Sequence, residues 1–110
     1  MTPKISESSI QKSCLQYLKL LENQGKLMAW RNNSGMMFGE YKGKKWATKL
    51  GEAGQPDIFC WYSGWLWALE IKAEKGKQSE SQVSWQKKAE KLDVRYHIIR
   101  SVDELREIIK

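Results

Sequence analysis

The chain has 110 residues, of which 41% are hydrophobic and 29% are charged, a balance typical of one soluble globular domain spanning residues 1–110. No apolar run approaches the roughly 20 residues of a membrane helix, and the polar amino terminus lacks a signal-peptide core. We therefore expect no membrane partner and a cytoplasmic location. The formal net charge of +6 favours a polyanionic partner such as nucleic acid.

The first predicted element is a helix from Glu7 to Gln24, which Gly25 ends. At a period of 3.6 residues its apolar face carries Ile10, Cys14, Leu18 and Leu21. Glu7 and Gln11 fall on that face too, so this acid is expected to point toward the core side. A strand is predicted at Leu27–Arg31, followed by a polar turn at Asn32-Asn33-Ser34-Gly35.

Two hairpins are expected in the middle of the chain. The stretch from Met36 to Gly54 is predicted to be a hairpin or a long loop, because glycines and lysines interrupt its aromatic residues. Asp57–Tyr62 and Trp65–Lys72 are predicted strands, rich in aromatic and β-branched residues, around a tight turn at Ser63-Gly64.

Two capping boxes mark helices in the last third of the chain. Ser79-Glu80-Ser81-Gln82 opens a predicted helix to Lys91, and Ser101-Val102-Asp103-Glu104 opens another to Ile109. A strand at Val94–Arg100 separates them. This order of elements predicts an α/β sandwich with a mixed sheet.

A pair of acids and a lysine stand out in the second hairpin. Glu70 and Lys72 share one face of an otherwise apolar strand, and Asp57 heads the strand expected to pair with it. Two such carboxylates and a backbone carbonyl suit Mg²⁺ or Mn²⁺. The plain alternative is an ordinary Glu70–Lys72 ion pair with Asp57 capping a turn.

The motif Pro56-Asp57 followed by Glu70-Ile71-Lys72 is the PD-(D/E)XK nuclease signature. Gly54-Gln55 before it, Ser79-x-x-Gln82 after it, and Ile99 to Leu105 near the end resemble the virus-type replication-repair nuclease family (VRR-Nuc). A first helix carrying Glu7 and Gln11 fits as well. The resemblance covers nearly the whole chain and implies a restriction-endonuclease-like core, a mixed sheet flanked by helices.

The resemblance implies a role for each matching position. Asp57 and Glu70 are expected to hold the metal, with the carbonyl of Ile71 as a third ligand and Glu7 adding an acid from the first helix. Lys72 is expected to orient the attacking water. Gln82 resembles the glutamine that follows the catalytic strand, although a pure capping role is as good an interpretation.

The implied activity is hydrolysis of DNA phosphodiesters by a Mg²⁺- or Mn²⁺-dependent endonuclease. Small members of the family are expected to be homodimers acting on branched DNA such as four-way (Holliday) junctions, in a bacterial or phage-infected host cell. Two alternatives stay open: a non-catalytic basic nucleic-acid-binding module, and a nuclease subunit of a larger replication or repair assembly.

Other residues receive narrower expectations. The candidate DNA contacts are basic side chains in the first hairpin and a tryptophan beside them: Lys42, Lys44, Lys45, Lys49 and Trp46. The lone His97 lies inside a predicted strand and is expected to be structural. Cys14 and Cys60 lack the spacing of a zinc site or a disulfide framework and are expected to be buried thiols.

Overall fold

The computed structural model describes residues 4–32, 36–49 and 53–110. Within these ranges the elements, in chain order, are α1 (Glu7–Asn23), β1 (Leu27–Arg31), β2 (Met36–Tyr41), β3 (Lys44–Lys49), β4 (Ile58–Tyr62), β5 (Trp65–Ile71), α2 (Glu80–Lys91), β6 (Arg95–Ile99) and α3 (Val102–Ile108). Each predicted helix and strand is present, with ends that differ by at most one residue. None of the helices in the described ranges is long and apolar enough to cross a membrane.

The main sheet has four strands in the order β1-β4-β5-β6. β4 pairs antiparallel with β1 and β5, while β6 runs parallel to β5. A parallel pair needs a crossover, and α2 supplies it between β5 and β6. The mixed sheet predicted from the order of elements is therefore confirmed.

The Met36–Gly54 stretch was predicted to be a hairpin or a long loop, and it contains a hairpin. β2 and β3 form a separate two-stranded sheet. The turn residues Lys42 and Gly43 both have positive φ values, 50° and 75°, which is the type I′ turn that suits a two-residue hairpin. The two strands make their main contacts with each other.

The hydrophobic core lies between the main sheet and the helices α1 and α3. The predicted apolar face of α1 is buried, and alternate residues of the strands meet it. Core members from the sheet and α3 include Leu27, Ala29, Ile58, Cys60, Leu69, Ile71, Ile99 and Leu105. Both thiols are buried, as expected, and burial raises the pKa of the Cys14 thiol to about 11.

Helix α1 also covers the free edge of the sheet at β1. The Glu22 carboxylate accepts a hydrogen bond of 2.7 Å from the Ala29 backbone N–H, and the Lys19 ammonium donates to the Ala29 carbonyl. The two side chains pair with each other at 3.3 Å. Backbone groups that an edge strand would otherwise offer to another strand are satisfied at this point.

The two predicted helix starts differ in detail. Ser79 and Gln82 form a complete capping box. At α3 the Ser101 hydroxyl accepts from the Glu104 N–H, but the Glu104 carboxylate accepts from the N–H of Arg100, one residue before the cap. In the second capping box, the side chain of the third helical residue therefore bonds to the N–H one residue before the N-cap instead of to the N-cap itself.

Candidate active site

The register of the β4–β5 pair places Asp57 beside Glu70. Ile58 pairs with Leu69, and the Asp57 N–H donates to the Leu69 carbonyl at 3.2 Å. The Asp57 side chain reaches across to β5, where its Oδ2 accepts a hydrogen bond from the Ile71 N–H at 2.7 Å. The carboxylate is thus held by the backbone of the strand that carries the second acid.

Glu70 is the one charged side chain buried among the described residues, at 2% exposure. Its Oε2 atom is buried and has no hydrogen-bond partner among these residues. Burial, together with the neighbouring Asp57, raises the pKa of the Glu70 carboxyl to about 8, against the opposing effect of Lys72. The surroundings of the Glu70 carboxyl therefore favour its neutral, protonated form over the charged carboxylate.

Lys72 lies at the end of the same strand face and is 12% exposed. Its ammonium is 4.0 Å from Glu70 Oε1 and 3.9 Å from Glu7 Oε1. Glu7 belongs to the first turn of α1 and is about half exposed. The lysine therefore lies between the buried Glu70 carboxyl and the half-exposed Glu7 carboxylate.

Gln82 contacts both the helix cap and Glu70. Its Oε1 accepts from the Ser79 N–H at 2.8 Å, which closes the capping box of α2. Its Nε2 donates to Glu70 Oε1 at 3.1 Å. The start of α2 is thereby connected to β5, the strand that carries Glu70, through one side chain.

These residues fit a divalent cation. Two carboxylates adjoin, and one of them carries an oxygen with no other partner, at a position where a cation would offset the unfavourable burial of charge. Among the described residues no three His, Cys, Asp or Glu side chains come close enough together to hold an ion. Asp57, Glu70 and a backbone carbonyl, completed by water, match the few protein ligands that Mg²⁺ usually takes.

Gly54 allows a close approach between the segment before Asp57 and helix α2, which the sequence analysis did not predict. Its φ is +86°, and a Cβ placed there would lie 2.1 Å from the Ser81 carbonyl oxygen. The segment leading to Asp57 therefore touches the first turn of α2, next to Gln82. Only glycine allows this approach, and the signal available beforehand was the glycine in the motif itself.

Arg100 fixes the segment that follows Lys72. Its Nη1 lies within hydrogen-bond distance of three backbone carbonyls, those of Ala73 at 2.6 Å, Glu74 at 3.2 Å and Gly76 at 2.8 Å. An arginine at the end of β6 thus organises the loop that leaves β5. Nothing in its spacing predicted this contact.

The candidate DNA contacts lie on the β2–β3 hairpin, outside the four-stranded sheet. Lys42, Lys44 and Lys45 are exposed. Trp46 is partly exposed and lies over Gly39, where a Cβ would be 2.1 Å from its ring. Lys49 ends β3, but its side chain lies outside the described residues. The role of these residues in binding stays a prediction.

His97 packs in the core side of the sheet. Its ring stacks on Trp67 with centroids 5.1 Å apart and 16° between the planes. Burial lowers the pKa of the imidazole. The ring is thus engaged in packing on a different strand face from Glu70, in agreement with the structural interpretation.

Comparison with known proteins bears on the fold. Neither the family models nor the curated proteins matched this sequence. A solved structure described as a VRR_NUC domain superposes with a TM-score of 0.62 and 19% sequence identity, over 94% of this chain and 97% of that chain. The chain has the fold of a VRR_NUC domain. The superposition spans nearly the whole chain, and the predicted α/β core, a mixed sheet flanked by helices, is confirmed.

Proposed function

We propose that the chain is a metal-dependent DNA endonuclease of the VRR-Nuc family, with Asp57, Glu70 and Lys72 at its centre. The observation that carries the proposal is the buried Glu70 carboxyl with its unpartnered oxygen beside Asp57. Burial of a charged carboxylate lowers the stability of a fold by several kcal/mol unless a partner compensates the charge. A bound Mg²⁺ or Mn²⁺ removes that cost.

Asp57, Glu70 and the Ile71 carbonyl would hold the ion. When bound, a divalent cation polarises a phosphoryl oxygen and lowers the pKa of bound water. The chain's own residues do the rest. The Ile71 N–H orients Asp57, and Gln82 holds one oxygen of Glu70, so the acids are preorganised.

Lys72 supplies positive charge at the reacting phosphate. Its ammonium is largely buried, so its charge acts across a medium of lower dielectric constant than water. It can donate a hydrogen bond to the attacking water or to a phosphate oxygen as charge develops there. Glu7, 3.9 Å away, orients the lysine at the open side of the site.

The proposed substrate is branched DNA such as a four-way junction, cut by a homodimer. The support is the net charge of +6, the VRR_NUC fold and the resemblance of the motif set. A two-fold dimer would present two active sites to two symmetric strands. Candidate interface regions are the Met36–Trp46 stretch and the Trp61–Trp67 hairpin, because both concentrate aromatic residues.

Cleavage of linear, flapped and four-way DNA in Mg²⁺, Mn²⁺ and EDTA tests the activity. We expect cleavage that requires the cation and is fastest on the four-way substrate, and none with Asp57→Asn. Binding of DNA without cleavage in either metal would favour the non-catalytic binding module instead. Sedimentation equilibrium tests the dimer, and a monomer active on four-way DNA would contradict it as the basis of substrate choice.

A further inference from the structure

An aromatic row crosses the sheet face that α2 partly covers. Trp30 stacks on Phe59 with centroids 5.9 Å apart and 28° between the planes. Phe59 meets Trp85 of α2 edge-on at 6.0 Å, and Trp85 lies 6.0 Å from Tyr96. The inner end of the row is buried at Tyr96, whereas Trp30 at the outer end is 39% exposed.

The row lies one step along the strands from the acids of the active site. Trp30 is paired opposite Phe59, and Phe59 opposite Ala68, so all three share a sheet face. Two residues on, the same face carries Asp57 and Glu70. Trp30 is therefore separated from the two acids by about 7 Å along the strands and by about 5 Å for each strand pair crossed. This distance corresponds to a few nucleotides at the roughly 3.4 Å rise of a DNA strand.

Resting on the proposed nuclease function, we propose that Trp30 is a stacking site for an unpaired nucleobase of the DNA strand bound at Asp57 and Glu70. One side of the indole ring packs on Phe59, which holds the ring in one orientation before DNA arrives. The exposed remainder of the ring offers an aromatic surface to a base. Unpaired bases are the natural occupants, because the faces of paired bases are already stacked inside a duplex.

The charges around the row favour DNA over a second copy of the chain. Strands β1 and β4 contain no acidic residue, and the chain carries a formal net charge of +6. A polyanion therefore meets no carboxylate of these two strands between Trp30 and the proposed metal-binding acids, whereas a second copy of the chain carries a charge of the same sign. Met28 and Trp61 extend the exposed face away from the site, and coverage of this part by a second copy is the competing outcome.

The test measures binding to a dye-labelled single-stranded oligothymidylate and to a blunt duplex of equal length, by anisotropy in EDTA so that no cleavage occurs. We expect Trp30→Leu to weaken single-strand binding about 5- to 150-fold, the range for loss of one base–aromatic stack. Duplex binding should change little, and Trp30→Tyr should bind nearly as well as the parent chain. Leucine keeps the apolar contact with Phe59 but offers no ring.

Trp65→Leu is the matched control. Trp65 has the same exposure, 40%, but lies at the opposite end of β5 from Glu70, with the Arg95 guanidinium 4.1 Å above its ring. Unchanged single-strand binding in Trp30→Leu, or an equal loss on both DNA forms, would overturn the stacking proposal. So would a change in sedimentation mass without a change in affinity, which would assign the face to a second copy.

A measurement on the unmodified chain avoids any folding defect of a variant. An oligonucleotide carrying 5-iododeoxyuridine should photocrosslink to Trp30, identified by mass spectrometry, and crosslinks confined to the β2–β3 hairpin would refute the site. Failure of this proposal is separable from failure of the nuclease proposal. If the parent chain cleaves DNA and Trp30→Leu binds single strands as well as the parent chain does, only the stacking proposal is refuted. If single-strand binding depends on Trp30 but no cleavage occurs in Mg²⁺ or Mn²⁺, the nuclease proposal is refuted.

Discussion

The two faces of the four-stranded sheet have different compositions. The face that packs on α1 and α3 carries most of the buried apolar core. The face toward α2 holds the buried Glu70, its amide partner Gln82, and tryptophans that stay partly exposed. Burial of apolar area stabilises the fold on the first face, while the second face retains costly polar groups. We therefore expect the α1 face to contribute mainly to stability and the α2 face to carry the proposed chemistry.

Among substitutions that leave the two proposed metal-binding acids in place, we expect the largest loss of rate on the α2 face at Lys72. Lys72→Ala should reduce the cleavage rate about 10²- to 10³-fold, as for removal of a single preorganised donor to a developing anion. Calorimetry should still show cation binding, because the lysine is not a ligand. Lys75→Ala, an exposed lysine in the following loop, is the control and should cleave normally. Loss of cation binding in Lys72→Ala would make the lysine an organiser of the site.

The α1 face should respond in stability alone. Leu18 is fully buried there, and Leu18→Ala should lower the free energy of unfolding by about 2–5 kcal/mol through lost burial and the cavity left behind. Denaturant unfolding measures it, with the exposed Leu20→Ala on the same helix as control. At a temperature where both variants are folded, their cleavage rates should match that of the parent chain. A loss of rate in folded Leu18→Ala would break the division between faces.

Gly54 gives a sharper test, because it joins the Asp57 segment to α2. Gly54→Ala would place a Cβ 2.1 Å from the Ser81 carbonyl, so the segment and the helix must move apart. Displacement of about 1 Å near a reacting group can cost about 10²-fold in rate, and we expect a loss approaching that size. Gly25→Ala is the matched control, since its φ of +76° is similarly unfavourable but nothing lies within 4 Å. Equal activity of the two variants would show that the contact has no role in positioning.

The smallest effect concerns the β2–β3 hairpin. Replacing Lys44 and Lys45 by Gln should flatten the plot of log affinity against log salt by about 0.9 per lost duplex phosphate contact. A Lys12→Gln, Lys26→Gln variant removes the same charge elsewhere and should leave the slope nearly unchanged. Equal slopes for the two doubly substituted proteins would move the DNA-binding track away from the hairpin.

Much of the fold followed from periodicity and turn chemistry. The α1 apolar face, the Ser63-Gly64 turn and the Ser79 capping box are local patterns, so the sequence alone specifies them. The pairing of Asp57 with Glu70 also followed, because a two-residue turn determines the register of the strands beside it.

The remainder depends on contacts between residues distant in the chain. Arg100 reaches carbonyls 24 to 27 residues away, Gly54 touches Ser81, and the Lys19–Glu22 pair caps the β1 edge at Ala29. Such contacts depend on how elements pack, which no periodicity encodes. The two contacts of Gln82 were open for the same reason: its capping partner is local, while Glu70 lies twelve residues away in β5.

The most direct measurement is titration of Mn²⁺ into the parent chain and into Glu70→Gln, by calorimetry together with the cation-induced shift in melting temperature. Gln keeps the shape of the side chain and its contact with Gln82 while removing the charge. The parent chain should bind the ion and melt at a higher temperature with it. Glu70→Gln should bind far more weakly, melt without the ion at least as high as the parent chain does, and fail to cut DNA. Undiminished Mn²⁺ binding and full cleavage by Glu70→Gln would contradict a metal site at the buried carboxyl.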